Sequence, residues 1–443
     1  MSDPTDTPPR SAPVPQGRTR RFLHLSRAVG EMAAGAAAEG LQQLARGQRP
    51  DLSQLMLTPA NARRLAERLS QMRGAVMKMG QLMSMDGQGV LPPQFAALLG
   101  GLRDRAHHMP ATQLTEVLQA EYGADWHRRF RRFSFEPIAA ASIGQVHRAE
   151  TLDGRVLALK IQYPGVRRSI DSDMANLALL ARTPGLMPAV LDPAPLLERV
   201  RQQLHAETDY RAEARAATEY RARLGPDPVL NVPEVHEDHS TAHILATDFA
   251  AGVAIDRLAV GEQPQAQRDH VASALCRLAV RELFQMRLVQ TDPNFGNYLF
   301  DTASGRISLL DFGATEPVAP LRVEQLRELA RALRDGDEER TRAAALSAGF
   351  IGAGDAPAQV QGVVGLMLMS GEALRHEGPY DFGASDLFAR VFERGRAQFF
   401  GAGYARTPPP DLIFLQRKFA GTFMLCGRLR ARVDVKRVFG GEI

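Results

Sequence analysis

The feature that most constrains this chain is an interval. In "QTDPNFGNYLF" Asp292 is followed five positions later by Asn297, and Asp311, inside "LLDFGA", comes fourteen positions after that. Two short apolar runs, "NYLF" and "ISLL", bracket the turn "DTASG" and read as a strand–turn–strand. An Asn and an Asp at the flanks of such a frame are hard-oxygen ligands of the kind that hold Mg2+ against phosphates.

Upstream lie two further pieces that suit a phosphate chain. Asp153-Gly154 is a strong hairpin signal joining two strand-like runs. In the second, "VLALKIQ", side chains alternate. Ala158 and Lys160 share one face, and Leu157, Leu159 and Ile161 the other. A small residue beside an ammonium suits a flat ring over Ala158 and phosphates at Lys160. Before the hairpin stand Ala139, Ala140, Ala141, Ser142, Ile143 and Gly144. Their small side chains let backbone N–H groups approach anionic oxygens. Protein kinases carry G-x-G-x-x-G at this place, so a loop of alanines with one glycine is expected to be stiffer. D-x-x-x-x-N and D-F-G complete the order. In kinases the first Asp orients the nucleophile, and the Asn and second Asp bind metal. Four pieces in kinase order predict a kinase-like site for ATP and Mg2+. Lys160 then needs an acidic partner. Glu207, Asp209 and Glu213 are the candidates, and the pattern alone does not choose. Glu207 and Glu213 are six residues apart and face different sides of a regular helix, so only one should reach Lys160.

Composition excludes more than it proves. The 443 residues, 44% hydrophobic, suffice for two or three structural units. A net charge of +4 is too weak a basic bias to imply nucleic acid. Two cysteines, Cys276 and Cys426, form no metal spacing or disulfide framework. No apolar run reaches 18 residues, so no membrane-spanning helix is expected, and the Pro- and Asp-containing start does not read as a secretory signal. Of 54 basic residues only four are lysine (Lys78, Lys160, Lys418 and Lys436), leaving 50 arginines. In a chain that writes Arg where a surface merely needs charge, a retained Lys that falls on a motif is a candidate for a place where chemistry requires a compact point charge. Lys160 falls on the strand motif. Lys78 falls in "MKMGQLMSMDG", sharing a helix face with Gln81.

The organisation follows from changes of period. Residues 1–20 read as a disordered tail, and 21–130 as a helical extension with a membrane- or partner-facing helix over 22–46 and a long helix over 59–86. Residues 131–250 read as a kinase-like N-lobe with a helical insertion, and 251–443 as a mainly helical C-lobe. Residues 166–222 and 266–289 are expected to be helical.

From about residue 20 to the C-terminus the sequence resembles the UbiB/ADCK atypical kinase-like family. The marks are K-x-G-Q at Lys78–Gln81, "AAASIGQVH", Glu207 and Asp209 as E-x-D, and "QTDPNFGNYLFD" with "LLDFGA". "QTDPN", with Gln290 where kinases have His, and the C-terminal "RKFAGTFMLCGRLRARVDV" resemble the mitochondrial and alphaproteobacterial ubiquinone-biosynthesis branch. The resemblance implies an α+β, bilobal, atypical protein-kinase-like fold with a helical K-x-G-Q extension packed over the site. It pairs Glu213 with Lys160. It places Glu207 and Asp209 near Lys78 and Gln81 as regulatory residues that close the cleft. Residues two apart lie on opposite faces of a regular helix, so Asp209 is expected to cap or bend it.

The function implied is an ATP-hydrolysing atypical kinase that supports ubiquinone synthesis at a membrane surface. Membrane lipids or quinone precursors, and other ubiquinone-biosynthesis proteins, are its expected partners. Its expected place is the cytoplasmic side of a bacterial membrane, or the matrix side if mitochondrial. The alternatives are a phosphotransferase acting on a small molecule or lipid, and a nucleotide-gated, non-catalytic scaffold. No A-P-E follows D-F-G, which counts against a protein-kinase activation segment.

Overall fold

The computed structural model describes residues 108–181, 194–258, 263–292, 294–398 and 408–443. Lys78, Gln81, the tail and the helices expected over 22–46 and 59–86 lie outside the described residues. The chain divides into two units. The first runs to Ala214 and resumes over Glu234–Phe249; the second comprises Arg215–Pro233 and Ala250–Ile443.

In the first unit, helix α1 (Ala111–Tyr122) ends where Gly123 takes φ 89°, a left-handed stop that costs glycine nothing. Strands β1 (Phe130–Ala140), β2 (Gly144–Thr151), β3 (Val156–Gln162) and β5 (Ile244–Asp248) form an antiparallel sheet in the order β1-β2-β3-β5. The long first strand was not foreseen: "FRRFSFE" buries little and lacks clean alternation. Leu157, Leu159 and Ile161 of β3 are fully buried with Ile244 and Ala246 of β5, against Leu114 and Leu118 of α1. The opposite face of β3, carrying Ala158 and Lys160, stays half-open. The β2–β3 turn closes as its sequence predicts, with Gly154 at φ 89° and Arg155 N–H donating to Thr151 Oγ1 at 2.9 Å.

The helical stretch expected over 166–222 is not one regular helix. α2 (Val166–Ala181) and α3 (Ala194–Glu207) are followed by α4 (Tyr210–Leu224), and the helix is interrupted between Glu207 and Tyr210. The Asp209 carboxylate accepts the Ala212 N–H at 2.9 Å and caps α4. Glu207 and Glu213 therefore sit on different helices, which removes the single-helix premise of the six-residue argument.

In the second unit, a four-stranded sheet orders β4 (Leu230–Asn231), β9 (Arg306–Leu309), β8 (Tyr298–Asp301) and β6 (Val253–Ala254). A two-stranded ladder joins β7 (Leu288–Gln290) to β10 (Thr315–Pro317). The helix expected over 266–289 is shorter. α5 (Gln265–Arg281) passes into a π-turn over Glu282–Met286, Arg287 adopts φ 51°, and β7 follows. The longer helices that follow are α6 (Pro320–Asp335), α7 (Glu338–Ala348), α8 (Pro357–Ser370), α9 (Leu387–Arg396) and α10 (Pro410–Arg428). Among the described residues no helix is long and apolar enough to cross a membrane.

Candidate nucleotide and metal site

The first unit gathers the loop, the lysine and its acidic partner. Lys160 Nζ lies 2.7 and 2.9 Å from the two oxygens of Glu213, which is 4% exposed, and 5.2 Å from the centre of the Tyr210 ring. Strand β3 delivers the lysine, and the first turn of α4 delivers both Glu213 and Tyr210. A carboxylate straddling the ammonium fixes its position while leaving it half-open to a ligand.

Ala139 and Ala140 end β1, and Ala141, Ser142 and Ile143 make the turn into β2. The turn is tied by Ala141 N–H to Gly144 O and by Tyr163 N–H to Ile143 O, both at 2.9 Å. Gly144 has a reason of its own. It faces Gln162 across the β2–β3 ladder, and a Cβ there would run into the Ile161 carbonyl, well inside van der Waals contact. The absence of a side chain at this position serves close strand approach. Ser142 Oγ donates to Glu207 at 2.6 Å, so the E-x-D glutamate holds the alanine-rich loop directly.

Two polar residues of "AAASIGQVH" belong to the core. Gln145 and His147 are both fully buried. Met109 N–H donates to Gln145 Oε1, the Gln145 amide meets His147 Nε2, and His147 Nδ1 meets Ser134 O, each at 2.8 Å. A carbonyl only accepts, so Nδ1 carries the proton and Nε2 accepts from Gln145. Burial holds the imidazole neutral and lowers its pKa to about 4.

In the second unit, the interval from Asn297 to Asp311 resolves into a register. β8 and β9 pair Tyr298 with Leu309 and Asp301 with Arg306, and Leu310 N–H then donates to Asn297 O at 3.0 Å. The hairpin sets Asn297 beside the residue before Asp311. At the other end, Gln290 pairs with Thr315, and Thr291 N–H donates to Ala314 O at 2.8 Å. The segments 291–297 and 310–314 are clamped side by side at both ends, which brings Asp292, Asn297 and Asp311 into one neighbourhood. Gly313 N–H caps Asp311 Oδ1 at 3.0 Å, and Phe312 is buried with its ring 4.9 Å from that of Tyr220.

The donor set fits Mg2+. The Asn297 amide oxygen and the Asp311 carboxylate are hard-oxygen ligands, and the Asn297 Nδ2–H group, buried and without a hydrogen-bond partner among the described residues, is available to donate to a phosphate oxygen. No three His, Cys, Asp or Glu side chains form a closed cage among the described residues. Two ligands suit an ion that keeps waters and takes further oxygens from substrate phosphates.

One buried network escaped sequence reasoning. Glu282, fully buried, accepts from Tyr220 Oη at 2.6 Å and from Gln290 N–H at 3.2 Å, and its other oxygen lies 2.7 Å from Lys418 Nζ. Lys418 is 2% exposed and reaches Tyr298 Oη at 3.5 Å. Burial opposes its charge, but Glu282 and Tyr298 more than offset this and raise its pKa. The scarcity of lysine was the one available signal. The side chain of Gln290, in the place of the kinase histidine, is buried with both amide atoms unpartnered among the described residues.

These features define a kinase-like enzyme on an α+β scaffold. Residues 101–345 match the ABC1 atypical kinase-like domain, and the chain belongs to that family. Among the curated proteins it is 33% identical to the mitochondrial atypical kinase COQ8 of Saccharomyces cerevisiae, over 97% of this chain and 85% of that protein. It is 34% identical to the mitochondrial atypical kinase COQ8B of Rattus norvegicus, over 97% of this chain and 81% of that one. A Mycobacterium tuberculosis protein, Rv3197, solved in complex with erythromycin, shares the fold with a TM-score of 0.60 at 24% identity, covering 85% of this chain and 93% of that one.

Proposed function

We propose that this chain is an ATP-hydrolysing atypical kinase that supports ubiquinone biosynthesis from a membrane surface. The observation that carries the ATP reading is the double clamp of 291–297 against 310–314, which assembles an Asp, an Asn and a second Asp in one place. The pathway reading rests on full-length similarity to the COQ8 atypical kinases.

In this reading Lys160 takes the α- and β-phosphates, and Glu213 holds its ammonium in place. The backbone of Ala139–Gly144 lines the phosphates, and Ala158 makes room for the base. Asn297 and Asp311 hold Mg2+, which when bound neutralises charge on the phosphate oxygens. Asp292 orients the attacking water or acceptor hydroxyl. Glu207 and Asp209, with Lys78 and Gln81, regulate access. Asp209 does so through the break it caps, and Glu207 through Ser142. The protein associates peripherally with the membrane, on the cytoplasmic side in a bacterium and the matrix side in a mitochondrion. There it meets lipid-like quinone precursors and other proteins of the pathway.

The test is phosphate release from Mg-ATP by the purified protein, alone, with anionic liposomes and with a simple phenol. Asp311→Asn serves as the blank. Release that rises with liposomes and vanishes in the variant supports the reading. Label transferred to the phenol makes the protein a phosphotransferase. Tight Mg-nucleotide binding without release makes it a scaffold. Normal ubiquinone in a clean deletion strain removes the pathway assignment.

A further inference from the structure

Residues 288–305, which include the catalytic loop, contain no lysine or arginine. Cations nonetheless reach this loop, and they come from α10, far along the chain and beyond the matched kinase-like domain. Arg417 Nη2 stands 3.9 Å from Asp292 Oδ1, a charge–charge contact longer than a hydrogen bond. Both side chains are withdrawn from water, at 11% and 6% exposure. The next residue, Lys418, binds Glu282 at 2.7 Å. The other Glu282 oxygen holds the backbone N–H of Gln290, two residues before Asp292. The same ammonium reaches Tyr298, the residue after Asn297. Two consecutive residues of one helix thus meet the loop at its start, at Asp292 and at its end.

A buried ion pair is poor evidence of a contribution to stability, because desolvation takes back most of the Coulomb gain, and an apolar pair of similar volume often does as well. What a buried pair does supply is a fixed geometry. We propose that Arg417 and Lys418 are positioning residues of the catalytic loop. Arg417 orients the Asp292 carboxylate, and Lys418, through Glu282 and Tyr298, fixes the two ends of the segment that carries Asp292 and Asn297. This rests on the reading of Asp292 and Asn297 given above.

The experiment is steady-state Mg-ATP hydrolysis by the full chain, with Mg-ADP binding measured on every variant as a check of folding. Arg417→Met is expected to lower kcat by about tenfold or more while KM for ATP stays within about twofold, because the interaction lost acts on the reacting group and not on nucleotide affinity. Arg417→Lys, which restores a cation, should recover most of the rate. In an Asp292→Asn background Arg417→Met should have no further effect. Lys418→Met should lower both thermal stability and kcat. Adding Glu282→Gln, which neutralises the buried pair, should restore the stability but not the rate.

Wild-type kcat in Arg417→Met beside an Asp292→Asn slowed to a small residual rate would overturn the role of Arg417 with the site reading intact. Recovery of kcat together with stability in Lys418→Met/Glu282→Gln would reduce Lys418 to packing. If Asp292→Asn turns over like the wild type, or the wild type binds Mg-nucleotide without turning over, the catalytic reading of Asp292 fails and the proposal falls with it.

Discussion

Lowering the pH should destabilise the first unit in part through one residue, His147. Its neutral, Nδ1-protonated form completes an unbroken relay from Met109 N–H through Gln145 to Ser134 O. A second proton on Nε2 would face the Gln145 amide N–H, donor against donor. Flipping the amide would only move the conflict to Met109 N–H. Water cannot compensate, because the ring is fully buried and stacked on Phe133 at 5.5 Å with an 18° tilt. The folded-state pKa falls from 6.5 to about 4. The sign follows from proton counting. Between these values the unfolded chain binds the proton and the folded one does not, so the stabilisation is complete above about pH 6.5 and is lost as pH falls towards the folded pKa. Linkage gives a loss of about 2 kcal/mol between pH 7.5 and 5, and about 3 kcal/mol by pH 4.

The chain contains its own probe. Its single tryptophan, Trp126, is buried 5.2 Å from the same Phe133 ring. Urea unfolding followed by Trp126 fluorescence at pH 7.5, 6.5, 5.5 and 5 gives the stability of this unit directly. Carboxylates contribute the same pH dependence to the wild type and to His147→Asn, so the difference between them isolates the imidazole. The variant should start less stable and lose about 2 kcal/mol less over the interval. Parallel curves would refute the relay and the proton placement on which it depends.

Four other outcomes follow from the packing. Gly144→Ala should cost about 1–3 kcal/mol by the same fluorescence assay, since its Cβ meets the Ile161 carbonyl and not a movable side-chain end. A neutral result would refute the steric reason given for the glycine. Lys160→Met should destabilise more than Glu213→Gln, by about 2 kcal/mol in urea, because it takes the ammonium from a nearly buried carboxylate while the reverse change leaves a half-open ammonium with an amide to bond. Gln290→Met should stabilise by about 1 kcal/mol, since it removes an amide unpartnered among the described residues; differential scanning calorimetry would register this as a higher Tm. Lys418→Arg should cost about 1–3 kcal/mol by forcing a larger head group into a filled site, whereas Lys436→Arg, at an exposed pair, should stay within about 0.5 kcal/mol in the same calorimetric comparison.

Much of the site was legible because it is written locally. Alternation in "VLALKIQ" gives the open face of Lys160, and the β8–β9 hairpin turns a sequence interval into a spatial one. What was not legible depended on partners distant in sequence. The choice among Glu207, Asp209 and Glu213 turned on a break at Thr208–Asp209. No helix-propensity argument placed that break, although the capping carboxylate was in view. The place of Gly144 was visible as a small residue in a loop. Its purpose required knowing that the Ile161 carbonyl lies across the ladder. The helix expected to run through residue 289 ended early because its last turn widens to a π-turn that points Glu282 inward, and the side-chain partners of that carboxylate lie 62 residues before it and well over 100 after it.

The lysines show how far a compositional argument reaches. Arginine's fork is suited to surfaces and to planar bidentate contacts, whereas a lysine head group is compact and can be enclosed. Lys160 and Lys418 meet that description: each is held by a carboxylate that is itself buried, and each enters a motif or network on which the loops depend. Lys436 does not, because it pairs with Glu377 at the surface. Scarcity therefore ranks candidates without assigning them. The assignment comes from burial of the partner, since a carboxylate withdrawn from water commits its cation to one position and an exposed one does not.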